Sequence, residues 1–312
     1  MKNTYGYLSV FLIFVMILCP LIPGTSEKNA GTGALPVLSA NAQESKIKLK
    51  TESGEVVSLT MRDYLFGVVA AEMPALYHEE ALKAQAVAAY TFTLYKAGQN
   101  SKEQYDITDN SSIDQAYITI EQAKEKWGDS YEEYRAKILS AIDSVAGKTV
   151  TYDGKLALTV YTAISGGKTE TAKNVWGEDH PYLTAVESVG DLLSPDYLST
   201  VTLSAEEIKE KMPSVKDIEQ GKWFSSPVYS DSGTVLTMKF GDTVISGKDI
   251  RTSLGLKSAN FDVTAENGNF VFTVRGYGHL VGLSQYGANY MAMQGSTYEE
   301  ILLWYYKGAK IS

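Results

Sequence analysis

The apolar residues of this 312-residue chain change their spacing near residue 147, and this change limits the folds open to it. Before that point they recur every three or four residues, which is typical of amphipathic helices. Helices are predicted to start at Thr60, at Glu79 and at Ser130 within a Ser-x-x-Glu capping box. Their ends are predicted before Pro74, near Gly98 and at Gly147.

After residue 147 the apolar residues alternate with polar ones, as in strands. The alternation is centred on the dipeptides Asp153-Gly154 and Asn267-Gly268, which are typical of two-residue hairpin turns. A further strand pair is predicted in VYSDSGTVLTMKFG, residues 228–241. Further helices are predicted behind serine caps at Ser204, Ser284 and Ser296. The pattern predicts an α+β fold, with the N-terminal helices packed on an antiparallel or mixed sheet.

The N-terminus predicts export from the cytoplasm. Lys2 precedes a mostly apolar run from Tyr7 to Pro23. We favour an uncleaved single-pass membrane anchor over residues 1–23 to a cleaved signal peptide. Residues 24–46, rich in small and polar residues, are predicted to be a linker, and residues 47–312 a single domain. In either case the folded domain is expected outside the cytoplasm, at the cell membrane or secreted.

Composition excludes several classes of partner and site. The formal net charge is -9 without a long basic run, so nucleic acid is not an expected partner. The single cysteine, Cys19, lies in the leader, so the folded domain has no thiolate for a metal or a disulfide. The three histidines are far apart in sequence. We therefore expect no metal and no cofactor.

One glutamate stands where an apolar residue would pack better. Glu72 shares a helical face with Leu65, Val68 and Val69 and directly precedes Met73. Burial and the negative end of the helix dipole both favour its protonated form. A carboxyl group that stays protonated near neutral pH can act as a general acid on a C–O bond. The alternative is a structural glutamate that pairs with an Arg or Lys or points into solvent.

Three segments carry a resemblance to a known family. They are YLFGVVAAEMPALYHEEALKAQAVAAYT (64–91), ISGGKTETAKNVWGEDHPYL (164–183) and RGYGHLVGLSQYGANYMAMQGSTYEEILLWYY (275–306). Together they resemble the stage II sporulation protein D family, which includes the amidase enhancers. The resemblance implies a lytic transglycosylase that cleaves peptide-stripped glycan strands of peptidoglycan and leaves 1,6-anhydro-muramic acid ends during engulfment. It assigns the catalytic acid to Glu72 and implies a cell-wall amidase or endopeptidase as a partner.

Three other functions stay open. The chain could be a non-catalytic cell-wall protein that stimulates an N-acetylmuramoyl-L-alanine amidase, as the enhancer branch does. A hydrolase would need a second carboxylate to direct water or to act as nucleophile. The candidates for that carboxylate are Asp63, Glu79, Glu80 and Glu170. A metal-dependent hydrolase is the weakest alternative.

Substrate-binding candidates come from the same three segments. They are Gln85, Tyr90, Ser165, Gly166, Gly167, Lys168, Thr169, His279, Ser284 and Gln285. The paired glycines would let backbone approach a ligand. Lys168 would pair with a substrate carboxylate or with Glu72, and His279 would orient substrate or tune that acid. The competing interpretations are a plain tight turn at the glycines, a helix cap at Ser284 and a satisfied core amide at Gln85.

The chain departs from the family pattern at three places. Tyr90 stands where the family usually has Arg, and Leu280 replaces a glycine of its His-Gly motif. Many members carry a His and two Cys after the second helix, but residues 104–117 have neither, so we predict no structural zinc. We expect side-chain bonds to hold that loop instead, made by Asp106, Asp109, Asn110 and Asp114.

Overall fold

The computed structural model describes residues 44–213 and 222–312. It has an α+β fold, as predicted. The helices are α1 (Met61–Glu72), α2 (Glu79–Gln99), α3 (Ile120–Trp127), α4 (Tyr131–Ser144), α5 (Ala172–Trp176), α6 (Ala205–Lys211), α7 (Gly247–Leu254), α8 (Gln285–Met293) and α9 (Tyr298–Tyr305). Short 3₁₀ turns span Gly128–Ser130 and Val189–Leu193.

The strands are short and precede, separate and follow these helices. They are β1 (Lys46–Lys50), β2 (Val56–Thr60), β3 (Ile107–Thr108), β4 (Val150–Tyr152), β5 (Lys155–Leu156), β6 (Tyr161–Thr162), β7 (Leu198–Ser204), β8 (Ser225–Tyr229), β9 (Val235–Phe240), β10 (Thr243–Ser246), β11 (Phe261–Glu266), β12 (Asn269–Arg275), β13 (Leu283–Ser284) and β14 (Lys310–Ile311).

These strands form several small sheets, not the one sheet that the sequence suggested. The sheets β10-β9-β8, β11-β12-β7 and β14-β4-β5 are antiparallel, β2-β1-β3 is mixed, and β13-β6 is a parallel pair. Both predicted hairpins are present. Asp153 and Gly154 have φ of 48° and 73°, and Asn267 and Gly268 have φ of 50° and 80°. Positive φ at both central residues is the requirement of a type I′ turn.

The apolar residues form two separate cores. The first core joins α1, α2, α4, α8 and α9 and buries residues such as Tyr64, Val68, Leu82, Ile138 and Leu302. The second core lies between residues 203 and 274 and is rich in aromatic residues, including Trp223, Phe240, Phe261 and Phe272. The first core fixes the C-terminal end of α1 against α2, which is where the candidate acid lies.

The helix caps follow the sequence signals with three corrections. Thr60 caps α1 by accepting a hydrogen bond from the Asp63 backbone. Ser130 makes no cap bond because it closes a 3₁₀ turn in helical conformation, and α4 ends at Ser144 rather than at residue 147. The last helix is capped by Thr297, one residue later than predicted, because its side chain pairs with the Glu300 backbone.

The predicted anchor, residues 1–23, and most of the predicted linker lie outside the described residues. Among the helices that are described, we find none with the length and apolar character needed to cross a membrane. The boundaries of the single predicted domain stay a prediction.

Candidate functional site

Glu72 is the last residue of α1, and it is half-buried. Its Oε1 accepts a hydrogen bond from the Ala116 backbone N–H at 2.8 Å, and its Oε2 accepts one from Gln285 Nε2 at 3.3 Å. Among the described residues, no Lys, Arg or His forms an ion pair with it. The carboxyl group is therefore held by neutral donors alone.

Burial raises the pKa of Glu72, while the hydrogen bonds from Ala116 and Gln285 oppose the rise. The net direction is upward because desolvation is the largest contribution. Burial of Glu72 also predicted a raised pKa in the sequence analysis. A carboxyl group with a raised pKa and no counter-ion retains a proton that it can donate.

Gly67 allows a distant segment to reach this carboxyl group. A Cβ at residue 67 would lie 2.3 Å from the Tyr117 ring and 2.5 Å from the Ile118 carbonyl oxygen. The Ile118 N–H also donates to the Gly67 carbonyl at 3.2 Å. Because the chain crosses α1 this closely, the backbone N–H of Ala116 points at the end of the helix.

A buried amide network surrounds the acid. Gln285 Nε2 lies 3.4 Å from Gln85 Oε1, and Gln85 is fully buried on α2. The Gln85 amide nitrogen has no hydrogen-bond partner within the part of the chain that the structure describes. Tyr161 donates to Gln115 Oε1 at 2.7 Å, and Gln115 Nε2 donates to the Tyr64 hydroxyl at 3.0 Å. These contacts place Gln85 and Gln285, both predicted from the sequence, beside Glu72.

Asp191 positions the start of α8, and the sequence analysis missed it. Ser284 caps α8 and donates to Asp191 Oδ1 at 2.7 Å. Asp191 Oδ2 accepts from the Ser165 backbone at 2.9 Å and from the Ser165 hydroxyl. Burial raises the pKa of this fully buried carboxyl group. Asp191 therefore ties the predicted loop at Ser165 to the helix that begins with Gln285.

The glycine loop has packing reasons for its composition. A Cβ at Gly166 would lie 2.4 Å from Asn260 Nδ2, and Gly167 has φ of +92°. Thr169 is buried and its hydroxyl accepts from the Val186 backbone at 2.9 Å. These contacts favour the structural interpretation of a tight turn.

Three of the predicted residues lie apart from the acid, namely Lys168, Tyr90 and His279. Lys168 Nζ is 3.8 Å from a Glu187 carboxylate oxygen, and it does not pair with Glu72. Tyr90 lies beside Met61, in the first turn of α1, so it sits near the opposite end of that helix from the acid.

His279 packs edge-on against Trp176, with ring centroids 5.1 Å apart. Its Nδ1 accepts a hydrogen bond from the Val281 backbone at 3.1 Å. Burial, reinforced by the positive charge of Arg251, lowers the pKa of His279 to about 4. The imidazole is therefore neutral near pH 7 and contacts groups other than the candidate acid.

The carboxylates considered for a hydrolase are engaged elsewhere. Glu79 and Glu80 both pair with Lys83 at 2.8 Å. Asp63 lies in the first turn of α1. Glu170 is buried and accepts hydrogen bonds from a backbone N–H, an asparagine amide and a serine hydroxyl. None of them makes a hydrogen bond with the acid at the end of α1.

The loop that lacks the family's zinc ligands is held by side chains, largely as predicted. Three side chains accept hydrogen bonds from backbone N–H groups. Asp106 accepts from Lys48 at 2.7 Å, Asn110 from Ser112 at 2.9 Å and Asp114 from Thr108 at 2.9 Å. Asp109 departs from the prediction, since its Oδ1 has no partner within the described chain. Within the two described ranges, no group of three or more His, Cys, Asp or Glu residues could hold a metal ion.

Similarity to known proteins covers these same elements. A family model described as stage II sporulation protein matches residues 50–152, which include Glu72 and Gln85. Stage II sporulation protein D of Bacillus subtilis strain 168 is 37% identical over 271 residues, which is 84% of this chain and 77% of that protein. The chain belongs to the stage II sporulation protein family.

Two further proteins are similar to this chain. Stage II sporulation protein D of Bacillus amyloliquefaciens is 36% identical over 286 residues, 90% of this chain and 82% of that protein. A protein named amidase enhancer from Bacillus subtilis strain 168 is 27% identical over 306 residues, covering 80% of this chain but 40% of that protein.

Leu280 is unusual for its conformation. It has φ of 69° and is 1% exposed. Left-handed backbone is costly for a bulky residue and free of cost for glycine. Its N–H donates to the Thr162 hydroxyl at 3.2 Å, and its carbonyl accepts from the Glu170 backbone at 2.8 Å. The loop thus keeps a conformation that suits glycine, while the leucine side chain is buried.

Proposed function

We propose that this sporulation protein is a lytic transglycosylase that cleaves peptidoglycan glycan strands between muramic acid and glucosamine. The proposal is supported by the environment of Glu72. Its carboxyl group is half-buried, forms no ion pair with any cationic residue that the structure describes, and has a pKa raised by burial. Such a group is suited to donate a proton to a glycosidic oxygen and to take one back.

The reaction requires one carboxyl group. Glu72 donates its proton to the glycosidic oxygen as the bond from that oxygen to muramic acid C1 breaks, and positive charge develops at C1. The C6 hydroxyl oxygen of the same sugar then bonds to C1, and its proton passes to the Glu72 carboxylate. The products are a free glucosamine 4-hydroxyl and a 1,6-anhydro sugar. No water is consumed, and Glu72 ends protonated as it began.

The neighbours of Glu72 suit both halves of this cycle. Ala116 and Gln285 donate to the carboxylate, so they stabilise it after the proton has left. Burial favours the protonated form before the proton leaves. A hydrolase would need a second carboxylate about 5–9.5 Å from the acid. Three of the four candidates are engaged by other groups, Glu79 and Glu80 by Lys83 and Glu170 by three hydrogen-bond donors, which favours an internal hydroxyl over a directed water.

The setting is proposed from the same family. We place the reaction in cell-wall remodelling during sporulation and engulfment, with peptide-stripped strands as the preferred substrate. We also propose that residues 1–23 anchor the protein in the cell membrane as a single span. The domain of residues 47–312 would then lie outside the cytoplasm, and no cofactor is required.

A second candidate function is the stimulation of a cell-wall amidase without cleavage. Exposed apolar side chains on elements that pack around α8 favour it, because such groups suit a protein partner. They are Leu76, Leu192, Leu193 and Met293. The relative named amidase enhancer supports an amidase as the partner in this alternative. We propose that this amidase is an N-acetylmuramoyl-L-alanine amidase.

Product mass separates these functions. The full-length chain is incubated with peptide-stripped glycan strands, and the products are weighed. Products with 1,6-anhydro ends, lighter than hydrolysed ends by one water, support the transglycosylase. Hydrolysed ends would require a hydrolase. Intact strands, together with stimulation of an amidase in a parallel assay on peptidoglycan that keeps its stem peptides, would support the enhancer.

A further inference from the structure

A cavity lies apart from the carboxyl group of Glu72. It opens between β9, α7 and the loop before β13, and its volume is about 100 Å³. One water molecule needs about 10–15 Å³, so the cavity has room for a small group of atoms. Its polar lining includes Asn174, Thr234, Lys248, Arg251 and His279.

Two cationic side chains, Lys248 and Arg251, line this cavity. Among the described residues, no carboxylate forms an ion pair with Arg251 or Lys248. By contrast, Arg62 and Arg275 each meet an aspartate at 2.7 Å. Burial lowers the pKa of Arg251, and the opposing contribution comes from the Tyr277 phenol rather than from a carboxylate. A guanidinium that is partly desolvated without an acidic partner is stabilised by an anion that enters the cavity.

Thr234, which lines the same cavity, carries a buried hydroxyl group. Thr234 is 5% exposed, and its Oγ1 has no hydrogen-bond partner within the described chain. Buried polar groups are rarely left unpaired, since an unmade hydrogen bond costs free energy. The missing partner of this donor would be an acceptor atom of a ligand, and an anion oxygen is the acceptor that Arg251 also favours.

The neighbouring side chains suit a sugar. Trp176 is 37% exposed, and its ring packs against His279, which lines the cavity. An indole ring offers a flat apolar face with a polar edge, which matches a sugar ring. These features favour a carboxylate carried on a sugar over a free phosphate or a phosphate polymer.

We propose that this cavity binds the carboxylate of an acidic sugar, namely the lactyl group of N-acetylmuramic acid. Arg251 supplies the positive charge and Thr234 donates a hydrogen bond to the same carboxylate. The proposal rests on the proposed function for the identity of the sugar. His279 is followed six residues later by Gln285, which contacts Glu72, so at most about 20 Å of chain separates them. A single glycan strand can therefore reach both places.

A matched pair of ligands tests the proposal. N-acetylmuramic acid and N-acetylglucosamine differ only by the lactyl group, and NMR titration of the full-length chain compares their affinities. We expect the muramic sugar to bind at least about tenfold more tightly, as a charge-assisted bond to Arg251 implies. Arg251→Gln should abolish this preference, while Arg135→Gln, on α4 outside the cavity, should leave it unchanged.

Thr234→Val is a second variant, chosen because it should lose affinity without unfolding the protein. The substitution removes an unpaired hydroxyl at constant shape, so the denaturation midpoint should not fall, while the affinity for N-acetylmuramic acid drops several-fold. Equal binding of both sugars, no binding of either, or a preference that survives in Arg251→Gln would overturn the proposal. Tighter binding of inorganic phosphate than of N-acetylmuramic acid would also overturn it.

These results are independent of cleavage. A sugar preference that depends on Arg251 in a chain that cleaves nothing would sustain this site and refute the proposed reaction. Cleavage through Glu72 without that preference would do the reverse.

Discussion

Gln285 donates a hydrogen bond to Glu72 across 213 residues of sequence. The bond lowers the pKa of Glu72 against the larger effect of burial, which raises it. The same amide also contacts Gln85, so one side chain links the candidate acid to the buried face of α2. The position of Gln285 is set by Ser284, which bonds to the buried Asp191.

Replacement of Gln285 by Met should shift the pH dependence of cleavage. Without the hydrogen bond the pKa of Glu72 rises further, so the acid stays protonated to higher pH. The alkaline limb of the kcat/KM profile is then expected to move upward. Gln294→Met, at the exposed end of α8, is the control and should leave the limb in place. An alkaline limb that stays fixed or moves downward in Gln285→Met would argue against Glu72 as the titrating acid.

Replacement of Gly67 by Ala should destabilise the protein, against the usual helix preference. Ala is favoured over Gly inside a helix by about 1 kcal/mol. Here the new Cβ would lie 2.3 Å from the Tyr117 ring and 2.5 Å from a backbone oxygen, so the segment bearing Ala116 must move. We expect a loss of about 1–3 kcal/mol in the free energy of unfolding by urea titration. Gly98→Ala, where nothing lies within 4 Å, is the control, and it should be neutral or stabilising.

Replacement of Ser284 by Ala removes two interactions at once. It deletes the cap of α8 and leaves Asp191 without one of its donors. Thr297→Ala deletes the cap of α9 and an exposed hydrogen bond to Glu300, and it should cost about 1 kcal/mol. Ser284→Ala should cost about 1–3 kcal/mol more, since a buried acceptor is left unpaired. Equal losses in the two variants would show that the Asp191 bond contributes nothing.

Replacement of Leu280 separates backbone strain from burial. Leu280→Ala loses the buried side chain but keeps the unfavourable left-handed backbone. Leu280→Gly loses the same side chain and relieves the backbone by about 1 kcal/mol. We therefore expect the glycine variant to be the more stable of the two in thermal unfolding, which reverses their usual order inside regular structure. A more stable alanine variant would mean that the strain at this position is negligible.

Local signals in the sequence found the elements but not the contacts between them. Thr60 and the two Gly-containing turns were recognised because caps and type I′ turns depend on a few adjacent residues. Glu72 was recognised because a carboxyl group interrupts an apolar helical face. The strands β1 and β2 and the helix α3 were missed, although Ile47 and Leu49 alternate with lysines in β1 and a capping box of Thr119 and Gln122 opens α3.

The partners of the acid could not be derived in the same way. Ala116 contributes a backbone N–H, which leaves no trace in residue type. No local sequence pattern distinguishes Asp191 from other acidic residues. Its role follows from its burial and from its hydrogen bonds with Ser165 and Ser284. Lys168 and His279 carried suitable chemistry, but the fold directs them to Glu187 and Trp176.

The central claim is that Glu72 transfers the proton that breaks the glycan strand. The most direct test compares the full-length wild type with Glu72→Gln on peptide-stripped glycan strands, with products identified by mass. Glu125→Gln, at an exposed position on α3, is the matched control. We predict 1,6-anhydro products from wild type and Glu125→Gln, and intact but still bound strands from a folded Glu72→Gln. Cleavage by Glu72→Gln at the wild-type rate would contradict the account.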